Sequence, residues 1–383
     1  MSLIDGMKPR AEAGGPGKWS VDGIMSPRLL TISFLVPFVL SLVLSGAALA
    51  QEFTSHVSEE PDLIPEKEID AQITRGIILF TNERMTEALS IFQKIIDRHK
   101  DDPKGYFYTA AVYGVTMQDY KTRAFEQEFN HFIQLTIAKA ESRLRVNDND
   151  AEAQFYLGGA YGYRGIDKTL VGSWLSAFLD GTKGVFHLHK AVSYNPKFYD
   201  AYYGIGSYHY WVSVRASILW FLPFFADERA QGIEEIRLAS TKGQFARYEA
   251  KASLVTILMN EKRWEEALKL TEEMLAKFPD DISSRIQKGI ISASLGRWPK
   301  VEQTFLSVKG FLPTRPFHGY MRKLEAEYYL ALAAQRQQRS ATFFERCVQV
   351  RELTDANRDH LYTDGLAELE EQAGQLCGKS SLP

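Results

Sequence analysis

The sequence predicts an all-α protein built from stacked helical hairpins. From residue 69 onward, apolar residues recur with the period of a helix, and strand-like alternation is hard to find. Small residues also return at regular distances along the chain. An apolar content of 45% in 383 residues supplies a core for one large domain or two ordinary ones.

The first 50 residues are expected to be a signal peptide. An apolar run from Leu29 to Leu44 follows Arg28, and Ala48-Leu49-Ala50 has the pattern of a cleavage site before Gln51. Translation from Met25 would give a conventional length. The alternative is an uncleaved membrane anchor, because the run approaches the ~18 to 20 residues that span a bilayer. The protein is expected to be exported, and to be periplasmic or associated with the outer membrane.

Residues 51–68 are expected to form a polar linker ahead of the helical domain. The formal charge of the whole chain is -3, with a pI near 6.3. A protein that binds nucleic acid usually carries a strongly basic face, so no nucleic-acid partner is expected.

The clearest hairpin runs from Tyr248 to Pro279. Its first apolar stripe ends before a turn at Arg263-Trp264, and a second stripe leads to Phe278-Pro279, which closes the unit. The two stripes consist of Leu254, Val255 and Leu258, and of Ala267, Leu268, Thr271 and Met274.

This pattern resembles the tetratricopeptide repeat, whose unit has about 34 residues and carries small residues where its two helices touch. The first-helix contacts are predicted at Gly76, Ala111, Gly158, Gly206, Val255 and Gly289, and the second-helix contacts at Ala88, Thr136, Gly184, Gly232, Ala267 and Val301. The resemblance covers most of residues 69–355 and implies a right-handed superhelix. Segments 324–334 and 342–353 are expected to add a further pair, and 356–383 a terminal helix and tail.

The middle three units each carry about 14 extra residues between their helices, compared with the ordinary repeat length. These insertions lie near residues 119–132, 165–181 and 211–230. Equivalent insertions in a solenoid emerge on one face. The first insertion is polar and is expected to lengthen helices. The second and third are apolar, and they either pack together and fill the concave side or form an exposed patch for a protein or a bilayer surface.

Two segments around the third insertion are also similar to a eukaryotic tetratricopeptide-like family linked to inclusion-body clearance. They are Asp200–Trp211 and Asp227–Ile236. This second resemblance implies the same architecture and nothing further.

The motifs of common catalytic sites are missing from the sequence. Gly204-Ile205-Gly206 has His209 where a dinucleotide site needs a third glycine, and neither a zinc motif nor a nucleophile elbow occurs. His187, His189 and His209 are therefore interpreted as packed or surface residues. No enzyme activity, cofactor or metal is expected. Cys347 and Cys377 either pair in an oxidising compartment or remain thiols.

The centre of the chain is rich in aromatic residues, which suit interfaces because each ring offers a large apolar area. The preferred hypothesis is an exported scaffold or adaptor that binds a protein partner on its concave surface during envelope assembly, transport or secretion. The predicted partner-binding residues are Tyr202, Tyr203, Tyr208, Trp211, Trp174 and Trp220.

Two alternatives remain open at this stage. The first is a peripheral membrane module that uses the apolar segment 217–225. The second is a helical-toroid enzyme acting on polysaccharides, with Asp180, Asp200 and Glu249 as candidate acids and bases. The oligomeric state is not predicted.

Overall fold

The computed structural model describes residues 66–216, 227–314, 319–356 and 365–378, and within these ranges the regular secondary structure is helical. Fourteen helices form seven hairpins and a fifteenth follows them, so the predicted all-α hairpin superhelix is confirmed. The helices are α1 (Glu66–Thr81), α2 (Met85–Arg98), α3 (Pro103–Tyr120), α4 (Glu126–Val146), α5 (Ala151–Leu170), α6 (Trp174–Tyr194), α7 (Ala201–Ala216), α8 (Arg229–Lys242), α9 (Arg247–Asn260), α10 (Trp264–Lys277), α11 (Ile282–Ser294), α12 (Trp298–Phe311), α13 (Tyr320–Arg336), α14 (Ser340–Ala356) and α15 (Leu366–Cys377).

Several predicted features lie outside the described residues. They are the signal peptide at 1–50, most of the linker at 51–68, and the apolar segment 217–225 with Trp220. The predicted additional pair of helices is present as α13 and α14.

Short turns connect the two helices of most hairpins, and one residue in each of these turns has a left-handed backbone. Glycine adopts this conformation without steric cost, while other residues adopt it less readily. Only two of the six turns have glycine at this position. Glycine is therefore a weak signal for the turns in this sequence. The residues are Glu83, Lys121, Gly172, Lys262, Gly296 and Gln338.

Aspartates cap the starts of α3 and α5, the first helices of the second and third hairpins. The Asp102 carboxylate accepts a hydrogen bond from the Lys104 backbone amide at 2.8 Å, and that of Asp150 accepts one from Ala153 at 2.9 Å. Each bond satisfies an amide that the helix itself leaves unpaired. These caps mark where the second and third hairpins begin.

Glycines let the two helices of the central hairpins approach each other closely, as predicted. A Cβ atom added to Gly158 would lie 2.8 Å from the Gly184 carbonyl oxygen, and one added to Gly206 would lie 2.5 Å from that of Gly232. At the contact predicted for the second hairpin, Ala111 is partly buried against the core and the adjacent Ala110 is fully buried.

The first two insertions lengthen helices and do not form a separate layer. The helices of the second and third hairpins have 18 to 21 residues, whereas those of the fifth and sixth have 13 or 14. This confirms the expectation for the first insertion. The second insertion also lengthens helices, and of the two alternatives given for its apolar residues, exposure is the one that Val171, Leu175 and Phe178 show. The third insertion falls in the connection between α7 and α8, of which the structure describes only the ends.

The turn ends of the second and third hairpins and the described end of α7 lie side by side. Arg123, after α3, forms a salt bridge with Asp167 near the end of α5. The Arg215 guanidinium, near the end of α7, lies over the Trp174 ring at the start of α6, 4.5 Å from its centroid. These contacts join the second hairpin to the third and the third to the fourth.

The inner side of the superhelix is closed by contacts between its two halves. Tyr108 of α3 packs on Phe245 before α9, with ring centroids 5.8 Å apart. The backbone amide of Gly319 donates to the Tyr120 carbonyl oxygen at 3.0 Å, and the Ile282 amide donates to the Glu83 carboxylate at 3.3 Å. These contacts bring the first two hairpins against the starts of α9, α11 and α13, and docking on a concave surface stays a prediction.

A disulfide joins the last two helices of the chain. Cys347 of α14 and Cys377 of α15 are bonded. Leu366, Leu369 and Ala373 of α15 are buried in the same apolar cluster as residues of α13. Of the two alternatives for the cysteines, the structure therefore shows the pair.

Candidate functional site

The outer surface of α6 carries the main exposed apolar area in the described part of the chain. Of eleven large apolar side chains that are exposed there, seven belong to the hairpin α5–α6. Six of the seven lie on α6 or on the turn before it, and we call all of these except Tyr194, at the end of the helix, the α6 stripe. The α6 stripe consists of Val171, Leu175, Phe178, Leu179 and Phe186, with exposed fractions from 43% to 74%.

The α6 stripe is exposed because small residues on the opposite side of the helix form the contact with α5. Ala177, Gly184 and Ala191 are buried and recur every seven residues, so they lie on one face. Counting about 100° per residue, Leu175 and Phe186 lie nearly opposite Gly184. The close approach at Gly184 therefore leaves the apolar residues of α6 facing outward.

The predicted partner-binding residues lie on the neighbouring helix α7 and at the start of α6. The structure describes five of the six, and each is partly buried. Tyr202, Tyr203 and Trp211 pack against the apolar core formed by α7 to α11. The sixth, Trp220, lies outside the described residues.

Two of these aromatic residues connect helices within the fold. The Tyr208 hydroxyl is 3.2 Å from the Thr182 hydroxyl of α6, and the Tyr203 hydroxyl donates to the Glu249 carboxylate of α9 at 3.3 Å. Trp174 packs under Arg215, as described above. The structure thus gives these residues contacts within the chain, and their contact with a partner stays a prediction.

The candidate acids of the enzyme alternative each have partners that hold the fold together. Asp180 forms ion pairs with Arg164 and Lys168, at 2.8 and 2.6 Å. Although burial raises the pKa of Asp180, hydrogen bonds from these two cations bring it below its ordinary value.

Asp200 and Glu249 are engaged in a similar way. The Asp200 carboxylate accepts hydrogen bonds from the backbone amides of Gln244, Phe245 and Ala246 ahead of α9, at 3.2, 2.8 and 2.7 Å. Glu249 accepts a bond from the Tyr163 hydroxyl at 2.5 Å besides the one from Tyr203. Burial raises the pKa of Glu249, and the two hydroxyls offset only part of that rise.

The histidines lie where α6 and α7 pack against other helices. A ring nitrogen of His187 is 2.7 Å from the Gln154 side-chain oxygen, and one of His209 is 2.6 Å from the Glu235 carboxylate. Burial lowers the pKa of His187, whereas the hydrogen bond with Glu235 raises that of His209. Three or more His, Cys, Asp or Glu side chains do not come together as a metal site anywhere in the described ranges.

Sequence reasoning found only part of the α6 stripe. The second insertion was recognised as apolar, and its bounds of 165–181 include Val171, Leu175, Phe178 and Leu179, whereas Phe186 lies beyond them. The signal was available in the spacing of three and four residues between the apolar positions of α6. This spacing indicates an outward apolar face only if the segment is a helix. Because the segment was interpreted as an insertion between helices, the face could not be assigned.

The described helices do not include one that is long and apolar enough to cross a bilayer. No protein-family model matches the sequence, and a search of curated proteins gives no match.

Solved structures of tetratricopeptide repeat proteins match the fold. The structure of Cut9-Hcn1, an APC/C hetero-tetramer, matches with a TM-score of 0.50 and 13% identity over 82% of this chain and 52% of that chain. YrrB, a tetratricopeptide repeat protein with an unusual peptide-binding site, matches with a TM-score of 0.40 and 15% identity, over 61% of this chain and 97% of its own.

PilW, a type IV pilus biogenesis factor, matches with a TM-score of 0.44 and 12% identity, over 67% of this chain and 98% of its own. At these identities the likeness concerns the fold. Together with the repeated glycine contacts and left-handed turns, the match to Cut9-Hcn1 shows that this chain has the fold of a tetratricopeptide-like superhelix.

Proposed function

We propose that this protein is a non-enzymatic scaffold or adaptor that is exported to the cell envelope, where it binds a protein partner in assembly, transport or secretion. The observation that carries the proposal is the α6 stripe, since monomeric proteins rarely leave such a patch exposed without an interaction role. The fold supports it, because the structure of Cut9-Hcn1 is itself that of a complex.

Two features support export. The sequence has an apolar run at Leu29 to Leu44 followed by Ala48-Leu49-Ala50, the pattern of a cleaved signal peptide. The disulfide between Cys347 and Cys377 fits an oxidising compartment such as the periplasm, where such bonds form and persist.

The absence of catalysis is supported by the roles that the candidate acids already have. Asp180 is neutralised by two cations, Asp200 caps the start of α9, and Glu249 is held between two tyrosines. A general acid and base need a shared site on either side of a substrate bond. Activity on envelope polysaccharides would overturn this part of the proposal.

The test places a photo-crosslinking amino acid at Leu179 in the α6 stripe and, as a control, at Val348 of α14, which is also an exposed apolar residue. We expect a crosslinked partner in living cells from position 179 and not from position 348. The partner is then purified, and its complex with the wild-type protein should weaken at least tenfold in L179S. The same products from both positions, or an unchanged affinity, would contradict the proposal.

A peripheral membrane role is the alternative that the sequence of 217–225 favours, because this segment contains no charged residue. It follows directly after Ala216, and the preceding Arg215 lies on the Trp174 ring beside the α6 stripe. Flotation of the purified protein with phosphatidylglycerol vesicles tests this alternative. Flotation without any protein partner would favour it over the scaffold.

A further inference from the structure

The exposed charges of α6 itself are positive. Its one carboxylate, Asp180, is buried and paired with Arg164 and Lys168. The two cations of α6 are Lys183 and Lys190, which are spaced seven residues apart and so lie on the same side of the helix. The Lys190 ammonium lies over the Phe186 ring at 5.1 Å from its centroid, which places positive charge at the edge of the α6 stripe.

The shape of the α6 stripe fits one helix better than a flat surface. Within α6, from Leu175 to Phe186, it covers 11 residues of rise, or about 16 Å, and Phe178 and Leu179 follow Leu175 by three and four residues. The outer helices of the neighbouring hairpins, α4 and α8, expose polar residues such as Gln134 and Glu234. A bilayer surface would have to contact these polar faces as well.

A second copy of this chain is a poorer occupant. In an antiparallel pair of α6 helices, Lys183 and Lys190 of both copies would lie on the same side of the contact. Like charges placed together in this way weaken association and favour a different partner.

Resting on the proposed function, we infer that the α6 stripe binds an amphipathic α-helix of a partner protein, and that acidic residues flank the apolar face of that helix. Apolar side chains of the partner would pack between Leu175, Phe178 and Phe186. Its carboxylates would meet Lys183 and Lys190. This is the mode in which an amphipathic helix is recognised by apolar anchors at positions three and four residues apart.

The experiment uses two synthetic helical peptides with the same leucines at this spacing, one flanked by glutamates and the other by lysines. Fluorescence anisotropy measures their binding to the purified protein. We expect the glutamate peptide to bind at least tenfold more tightly than the lysine peptide. The preference should reverse in the double variant K183E/K190E, because the charge on the flank is inverted.

The control uses two exposed phenylalanines. F186S in the α6 stripe should weaken binding of the glutamate peptide at least tenfold, whereas F344S on α14 should leave it unchanged, although Phe344 is even more exposed than Phe186. Circular dichroism confirms that both variants keep their helical content. Equal effects of the two substitutions would overturn the inference.

The remaining outcomes separate this inference from the proposed function. The two peptides could bind with equal affinity, or neither could bind, while a partner still crosslinks at Leu179. Either result would overturn the inference of an acidic helix but would not contradict the proposed scaffold function. Loss of the crosslink as well would overturn both. Crosslinks only between copies of this chain would identify the α6 stripe as a self-association surface, and flotation with anionic vesicles alone would identify it as a membrane surface.

Discussion

Gly158 and Gly162 lie one turn apart on α5, but only Gly158 is enclosed by α6. A Cβ at Gly158 would lie 2.8 Å from both the Gly184 carbonyl oxygen and the Leu188 side chain. A Cβ at Gly162 would meet nothing within 4 Å. Substituting each glycine in turn therefore distinguishes two effects: the need for a small residue at the contact with α6, and the general cost of glycine in a helix.

This difference makes a prediction at the scale of single residues. G158A should lower the free energy of unfolding by about 1–3 kcal/mol, because the added methyl group overpacks the contact between α5 and α6. G162A should leave it unchanged or raise it by up to about 1 kcal/mol, because alanine favours the helix. Urea denaturation of both variants measures the difference. Equal destabilisation would contradict the proposed role of Gly158.

At the scale of elements, the glycine pattern predicted the hairpins but not the lengths of their helices. Gly158, Gly184, Gly206 and Gly232 gave the correct pairing of α5 with α6 and of α7 with α8. The sequence between these contacts could be read equally well as added loops or as longer helices. Longer helices formed, so the turn at Gly172 lies farther from the glycine contact than in an ordinary repeat.

The outward side of α6 shows the same limit. Apolar periodicity indicates that a helix has an apolar face, but that face is normally assigned to the core. In α6 the core face is made of Ala177, Gly184 and Ala191, and the larger side chains lie opposite. Only the packing partner of a helix decides which of two such faces is buried, and the partner is a tertiary feature.

The last helix, α15, is held to α14 by the disulfide and to α13 by apolar contacts. We therefore expect removal of the disulfide to destabilise α15. Replacing both cysteines with serine, C347S/C377S, should cost about 2–4 kcal/mol of unfolding free energy for the segment that the disulfide closes. Amide hydrogen exchange in α15 should then accelerate, while that in α1 should not. Adding a reducing agent to the wild-type protein is the control and should reproduce the effect. Unchanged exchange in α15 would show that its apolar contacts suffice.

At the scale of the whole molecule, sequence patterns could not predict the contacts between the first hairpins and the last ones. The hydrogen bond from the Ile282 amide to Glu83 joins residues that are 199 positions apart, and that from Arg322 to the Asp119 carbonyl oxygen joins residues 203 apart. Helical periodicity and repeat length are local signals, so they predict the hairpins and their stacking. Whether one superhelix leaves an open groove depends on how the small rotations between hairpins add up.

The closure brings acidic groups together, and this leads to a prediction about pH. Burial raises the pKa of Asp119 to about 7, with further contributions from Asp281 and Glu83, while Arg322 opposes the rise. A carboxyl whose pKa is higher in the folded state than in the unfolded chain favours folding when it is protonated. Its contribution is complete below the unfolded pKa of about 4 and is lost as the pH rises to 7.

Replacing Asp119 with asparagine removes this titration. D119N should therefore be more stable than the wild-type protein above pH 7, by about 1–2 kcal/mol after allowance for partial exposure. The difference should shrink as the pH falls toward 4, because Asp119 of the wild-type protein then becomes protonated. Urea denaturation between pH 4.5 and 8 measures it. D148N, at an exposed position between α4 and α5, is the control and should follow the wild-type curve. A constant difference between D119N and wild type at all pH values would show that Asp119 does not titrate in the closure.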